Sequence, residues 1–339
     1  MGTPQPTPQL FNRRKFLGLI AAAAVFGAAY QYGSQRWTKG KYTLKNSRIM
    51  MGTTVNFTII GPDQERCNEA LEVTAAHMEK EAESISIYNP KSPLSLLNRN
   101  GFLENAPPTL LKVTRMALEM SRLTDGAFDP TVLPLLKLYR KEENRLPPEE
   151  EIEKALARVG YRNVLIEGNT IRYTVDETGM TLDGIGKGFI VDEGIRFINE
   201  LGFENVCIEA GGDLMVTGAN PSGTHWTIAI RNPRPNQDMQ HHIIKLKDRA
   251  IATSGDYMQS YSADRQYHHI INPRTGFSPP ALASCSILAP DVAMADGLAT
   301  SAMVMGPDTS IALLDSLTDC EGFLIGKDLT TYTSKDFFS

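Results

Sequence analysis

Apolar residues recur at helical spacing in Leu71, Ala75, Met78, Ala82 and Ile85, which places them on one helix face. Leu110, Val113, Ala117 and Met120 repeat the pattern, and Gly126 lies just past its end. Pro148-Glu149-Glu150-Glu151 is a helix start with acids in its first turn, stopped by Gly160. Val191, Ile195 and Ile198 form a further helix face closed by Gly202, and a last pair of helices is expected over Ala295 to Met305 and Asp308 to Leu317. Between them lie short apolar, strand-like runs: Thr54 to Ile60, Val164 to Ile166, Thr170 to Val175, Val206 to Glu209, Trp226 to Arg231, His242 to Leu246 and Ser284 to Leu288. Gly, Asn, Pro and Asp punctuate most of these runs. The irregular alternation predicts an α+β fold, antiparallel sheets with helices packed on them, in one catalytic domain over residues 47–339.

The N-terminus has a different pattern. Asn12-Arg13-Arg14-Lys15-Phe16-Leu17 precedes an apolar run from Leu17 to Ala29, a charged region followed by a short apolar one, as in a secretory signal. The run is short and alanine-rich for a transmembrane helix. The Arg pair followed by Phe-Leu resembles the twin-arginine export signal, so residues 1–30 are read as that signal and the protein is expected in the periplasm or on the outer face of the inner membrane. No clean Ala-x-Ala site is present, which leaves open a membrane anchor formed by an uncleaved signal. Residues 31–46 are polar and read as a linker, with nothing before about Lys45 packed on the fold.

Composition narrows the picture further. The 339 residues are 42% hydrophobic and 22% charged, enough for a sizeable core. Lys and Arg number 34 against 39 Asp and Glu, net −5, with no long basic stripe, which argues against a nucleic-acid partner. The four cysteines, Cys67, Cys207, Cys285 and Cys320, form neither a disulfide framework nor a metal pattern; Cys207 and Cys285 read as small core residues.

Several clusters place Gly beside Asp or Lys at expected strand ends: Asp125-Gly126-Ala127-Phe128-Asp129-Pro130-Thr131, Leu182-Asp183-Gly184-Ile185-Gly186-Lys187-Gly188, Ala210-Gly211-Gly212-Asp213 and the turn Thr253-Ser254-Gly255-Asp256-Tyr257. Gly lets a backbone approach a ligand closely, and a helix after Lys187 suits a diphosphate at its N-terminus. The Lys187 segment is neither a P-loop nor a dinucleotide fingerprint. Asp296 and Thr300, i and i+4 on an otherwise apolar helix, share one face. They are hard oxygen ligands suited to Mg²⁺, or alternatively an N-cap Asp and a Thr bonded back to its own helix. In Tyr267-His268-His269-Ile270-Ile271-Asn272-Pro273-Arg274-Thr275-Gly276, a His before a short apolar run suits a general acid/base, a metal ligand or a hydrogen-bonded strand end. Gly-x-Ser-x-Gly and His-Glu-x-x-His are both absent, which disfavours hydrolase triads and zinc proteases.

Taken together, the clusters resemble the ApbE family, the FAD:protein FMN transferases. The likeness is collinear from about Ile49 to Met305 and includes Met50-Met51-Gly52-Thr53-Thr54, Ser86-Ile87-Tyr88-Asn89-Pro90 and Ala295-Asp296-Gly297-Leu298-Ala299-Thr300. The resemblance implies paired antiparallel β-sheet modules with FAD held between them. It implies that Met51 touches the flavin region, that Tyr88 stacks on a ring, and that Ala127, Phe128 and Asp129 line the nucleotide pocket, with Asp183 and Ile270 also beside the cofactor. Asp296 and Thr300, with the Gly184 carbonyl, match the metal ligands, Lys187 would sit near the phosphates, and His269 matches the catalytic His. Thr181 stands where many members carry an acid, and Asn272 where many carry Asp. The implied activity is Mg²⁺-dependent transfer of FMN from FAD to a Thr or Ser hydroxyl of a partner, with release of AMP. Water as acceptor would make the chain an FAD diphosphatase, and a non-catalytic exported flavin-binding assembly factor is a third reading. The implied partner is an FMN-acceptor subunit of a membrane redox complex.

Overall fold

The computed structural model describes residues 41–141, 146–234 and 242–338. The proposed export signal and most of the linker lie outside them. The chain opens with β1 (Tyr42–Met50), β2 (Thr53–Gly61), α1 (Gln64–Ile85), α2 (Pro93–Asn100), β3 (Phe102–Leu103) and α3 (Pro108–Leu123). It continues through α4 (Leu133–Lys141), α5 (Glu149–Leu156), β4 (Val164–Glu167), β5 (Thr170–Tyr173), α6 (Asp183–Glu200), β6 (Asn205–Ala210) and β7 (Asp213–Thr217). It closes with β8 (Trp226–Ile230), β9 (His242–Leu246), β10 (Arg249–Gly255), β11 (Leu282–Ala289), α7 (Val292–Met305), α8 (Pro307–Leu314), β12 (Glu321–Gly326) and β13 (Thr331–Thr333).

Eight strands form one antiparallel sheet in the order β1-β2-β6-β7-β10-β11-β12-β13. Its two four-strand halves meet where β7 pairs with β10, Leu214 opposite Ile251. Strand side chains alternate between faces. Val55, Phe57 and Ile59 of β2 therefore join the core beneath α1, α6 and α7, with Met78, Ile190 and Leu298. Ile60, Leu214, Val216, Ile251 and Leu288 point to the other face, where the β8–β9 hairpin covers them with Trp226, Ile230, Ile244 and Leu246. A third cluster packs α4 and α5 around Leu135, Tyr139, Ile152 and Ile271. All four cysteines are free thiols, three of them buried and Cys207 half-buried.

Several boundaries differ from the sequence reading. Tyr42 to Asn46, assigned to the linker, lie in β1 and pair with Phe57 to Gly61, so the folded domain begins at least five residues before residue 47. Their polar alternation is that of a half-exposed edge strand. Thr253-Ser254-Gly255, read as a turn, ends the central strand β10. The Leu182–Gly188 segment does open a helix, which begins at Asp183 and so holds Lys187 within it rather than before it. The last helix ends at Leu314 rather than Leu317.

Candidate active site

A cavity of about 1000 Å³ gathers side chains that are remote in sequence. Met51, Tyr88, Phe128, Asp129, Asp183, Gly184, Lys187, His269, Ile270, Asp296 and Thr300 all line it. Ala127 does not; its amide closes a turn onto the Thr124 carbonyl at 3.0 Å, and Phe128 beside it faces the cavity. Met51 and Gly52 form the two-residue turn between β1 and β2, with φ of 51° and 72°. This left-handed pair matches the twist of the strands it joins. It holds Met51, a residue that seldom adopts such a φ, at the cavity wall.

Asp296 lies in the second turn of α7 and is 5% exposed. It does not cap the helix: Asp291 does, accepting the Met294 amide at 2.8 Å. The N-cap alternative for Asp296 is thereby excluded. Thr300 does not bond back to its own helix either; its hydroxyl meets Ser254 Oγ at 3.3 Å, and the neighbouring Ser301 makes the back-bond instead. A Cβ on Gly184 would stand 3.2 Å from Thr300 Oγ1, so the two helices touch here. The Asp296 Oδ2 accepts the Gly188 amide at 3.3 Å, longer than a good charge-assisted bond. Burial pushes the Asp296 carboxyl up, and the nearby Lys187 ammonium and Gly188 amide oppose the rise. A buried carboxylate so lightly compensated, on one helix face with the Thr300 hydroxyl and lining the same cavity as Gly184, fits a hard divalent cation that takes oxygen donors. Among the described residues there is no cluster of three or more His, Cys, Asp or Glu side chains placed for a metal, so a cation here would rest on this one carboxylate.

Lys187 pairs with Asp213, which is 1% exposed. Asp213 Oδ1 also accepts the Thr253 amide at 3.2 Å, so the ion pair ties α6 to the end of β10. Asp129 spends its carboxylate locally, on the amide and hydroxyl of Thr131 and the amide of Tyr161. Burial raises its pKa and these donors oppose the rise.

The two histidines divide cleanly. His268 is fully buried, and its Nε2–H donates to the Pro279 carbonyl at 3.3 Å. Burial holds its pKa down to about 4, so it is a neutral core residue outside the cavity. His269 lines the cavity and donates Nδ1–H to the Gln259 carbonyl at 3.1 Å. That bond fixes the tautomer and leaves Nε2 with its lone pair, as a general base requires. Burial lowers the His269 pKa, with Gln259 and Asp183 opposing.

The sequence reading missed Arg140. It lies on α4, lines the cavity, and donates to the Tyr88 hydroxyl at 3.3 Å with its guanidinium 5.7 Å from the ring centre. The Tyr88 hydroxyl in turn donates to Asp183 Oδ2 at 3.0 Å, although Tyr88 as a whole is 66% exposed. Arg140 carries no sequence signal of its own, since a lone Arg on an amphipathic helix is commonplace.

The ApbE family model matches residues 51–324. A protein of Vibrio cholerae serotype O1 described as FAD:protein FMN transferase is 34% identical over 275 residues, 78% of this chain and 82% of that protein. One of the same description from Haemophilus influenzae is 29% identical over 318 residues, 88% of this chain and 89% of its own. Among solved structures, the flavin transferase ApbE from Vibrio cholerae superposes with a TM-score of 0.79 at 32% identity, covering 88% of this chain and 98% of that one. The ApbE protein of Thermotoga maritima gives 0.78 at 28% identity, covering 87% and 98%. The chain therefore belongs to the ApbE family and is a transferase.

Proposed function

We propose that this protein transfers FMN from FAD to a Thr or Ser hydroxyl of a partner flavoprotein and releases AMP. The observation that carries the reading is the convergence of Lys187, His269 and the Gly184–Asp296–Thr300 oxygen set on one cavity with Met51 and Tyr88 at its wall. FAD joins FMN to AMP through a diphosphate. The acceptor oxygen attacks the FMN-side phosphorus, its proton passes to His269 Nε2, and the bond to the AMP oxygen breaks. Lys187 would lie beside the phosphates and offset their charge, held in place by Asp213. Gly184, Asp296 and Thr300 would hold Mg²⁺, which supplies further charge neutralisation on the diphosphate. Met51, Phe128 and Ile270 offer apolar surface to the flavin and nucleotide, and Tyr88 a ring to stack on.

The acceptor would be a subunit of a membrane redox complex, met in the periplasm or on the outer face of the inner membrane after twin-arginine export. Left uncut, the signal would tether the enzyme to that membrane. Incubating the full chain with FAD, Mg²⁺ and a flavin-acceptor domain tests the reading: a fluorescent acceptor band and stoichiometric AMP are expected. AMP and FMN without acceptor labelling would identify a diphosphatase instead, and FAD binding without turnover a non-catalytic assembly factor.

A further inference from the structure

Helices α6 and α7 run against each other in one antiparallel register with three rungs. Gly184 touches Thr300, the Gly188 amide reaches Asp296, and the Asp192 carboxylate accepts the amides of Val292 and Ala293 at 2.8 and 2.9 Å. The contacts step by four residues up one helix and down the other, so each lies one turn from the next. Gly188 lets the backbones close: a Cβ there would meet the Val292 carbonyl oxygen at 2.5 Å. The first two rungs carry Gly184, Thr300 and Asp296, the residues of the candidate cation site. The third lies about two turns from the first and touches neither cavity nor donor, yet it holds the strongest hydrogen bonds of the three.

We infer that Asp192 is a positioning residue: by capping the first turn of α7 from α6, it sets the axial register that brings Asp296 and Thr300 to the Gly184 carbonyl. An N-cap is ordinarily supplied by the helix's own chain, and α7 already has one in Asp291. Asp192 takes the two amides ahead of the Asp291 bond, and does so from another helix. A carboxylate between two N–H groups at a helix N-terminus is favoured by the helix dipole as well as by both bonds. Losing it frees α7 to slide or tilt relative to α6, and a shift of a few tenths of an ångström alters a cation site that depends on donors from both helices.

The inference rests on the cation reading, and Asp291 supplies a control that separates them. Mn²⁺, a paramagnetic stand-in for Mg²⁺, is titrated into the full chain at about pH 8.5, above the value of about 7 to which burial raises the Asp192 carboxyl, and free Mn²⁺ is read by electron paramagnetic resonance. Asp192→Ala is expected to raise the Mn²⁺ Kd about tenfold, within the range for residues that orient metal ligands. Asp192→Asn keeps one acceptor oxygen and is expected to show a smaller rise, which preserves the comparison if the alanine variant does not fold. Asp291→Ala removes a cap of the same kind from the same turn; it is expected to lower the melting temperature by a few degrees and leave the Kd unchanged. Equal Mn²⁺ affinity in wild type and both Asp192 variants overturns the inference, as does a Kd rise as large in Asp291→Ala as in Asp192→Ala. Wild-type protein that binds no Mn²⁺ overturns the cation reading itself and the inference with it.

Discussion

The amide of Gly188 on α6 donates to the carboxylate of Asp296 on α7 across 3.3 Å. The bond is long for an ionised acceptor, and it is possible at all because a glycine lets the two backbones meet. Asp296 is thus buried, close to a second helix and lightly compensated. Lys187 adds its charge from the residue just before Gly188, and is itself held by Asp213. The site sets the Asp296 carboxylate beside the Lys187 ammonium and the Thr300 and Ser254 hydroxyls, where a diphosphate and a cation would share space.

His269 should set the acid limb of the rate profile. Burial lowers its pKa below the ordinary value of 6.5, so the ring is neutral and ready to accept a proton at pH 7. Transfer is expected to keep more than half of its rate at pH 6.5 and to fall further below it. His269→Ala should lose about 10²–10⁴ in rate and flatten that limb. A variant that retains the wild-type rate and profile would remove His269 from the chemistry.

His268 should instead govern stability. Its pKa is depressed from 6.5 in the unfolded chain to about 4 in the fold. The unfolded state therefore binds more protons between these values, so the His268 contribution is present above pH 6.5 and is lost as pH falls through about 4. The loss is on the order of 3 kcal/mol. Denaturant titrations should show stability falling over this window in wild type and less steeply in His268→Phe. Equal slopes would contradict the buried neutral role.

Lys187 and Asp213 should separate stability from chemistry. Lys187→Met leaves the Asp213 carboxylate buried without its cation, a change that costs about 3–5 kcal/mol. Adding Asp213→Asn should restore much of the melting temperature but none of the transfer rate, because the phosphate-side charge stays absent. Recovery of activity in the double variant would show that Lys187 matters only as a structural partner.

The legible parts of this site were those with local periodicity. Asp296 and Thr300 announce themselves as i and i+4 on an apolar helix, and the structure puts both on the cavity wall. Met51-Gly52 entered through the family resemblance, and the backbone makes it a tight turn with two positive φ values. What stayed hidden depends on tertiary neighbours. Tyr42 to Lys45 look like a tether because an edge strand exposes half its residues, and Thr253 to Gly255 look like a turn because small polar residues also suit a strand beside a cavity. Arg140 acquires meaning only when α4 folds against Tyr88. Asp192 carries no local signal, since its partners are backbone amides of a segment a hundred residues away. His268 and His269, adjacent in sequence, are told apart by burial alone.

Asp296→Ala tests the central claim most directly. The account predicts a fold that melts near the wild-type temperature, because alanine favours the helix and removes a buried carboxylate. It predicts FAD binding weakened less than turnover, and single-turnover flavin transfer reduced about 10²–10³-fold. Both quantities should be measured on the same purified protein in excess Mg²⁺. Transfer at close to the wild-type rate would contradict the cation assignment and leave Asp296 a structural residue of α7.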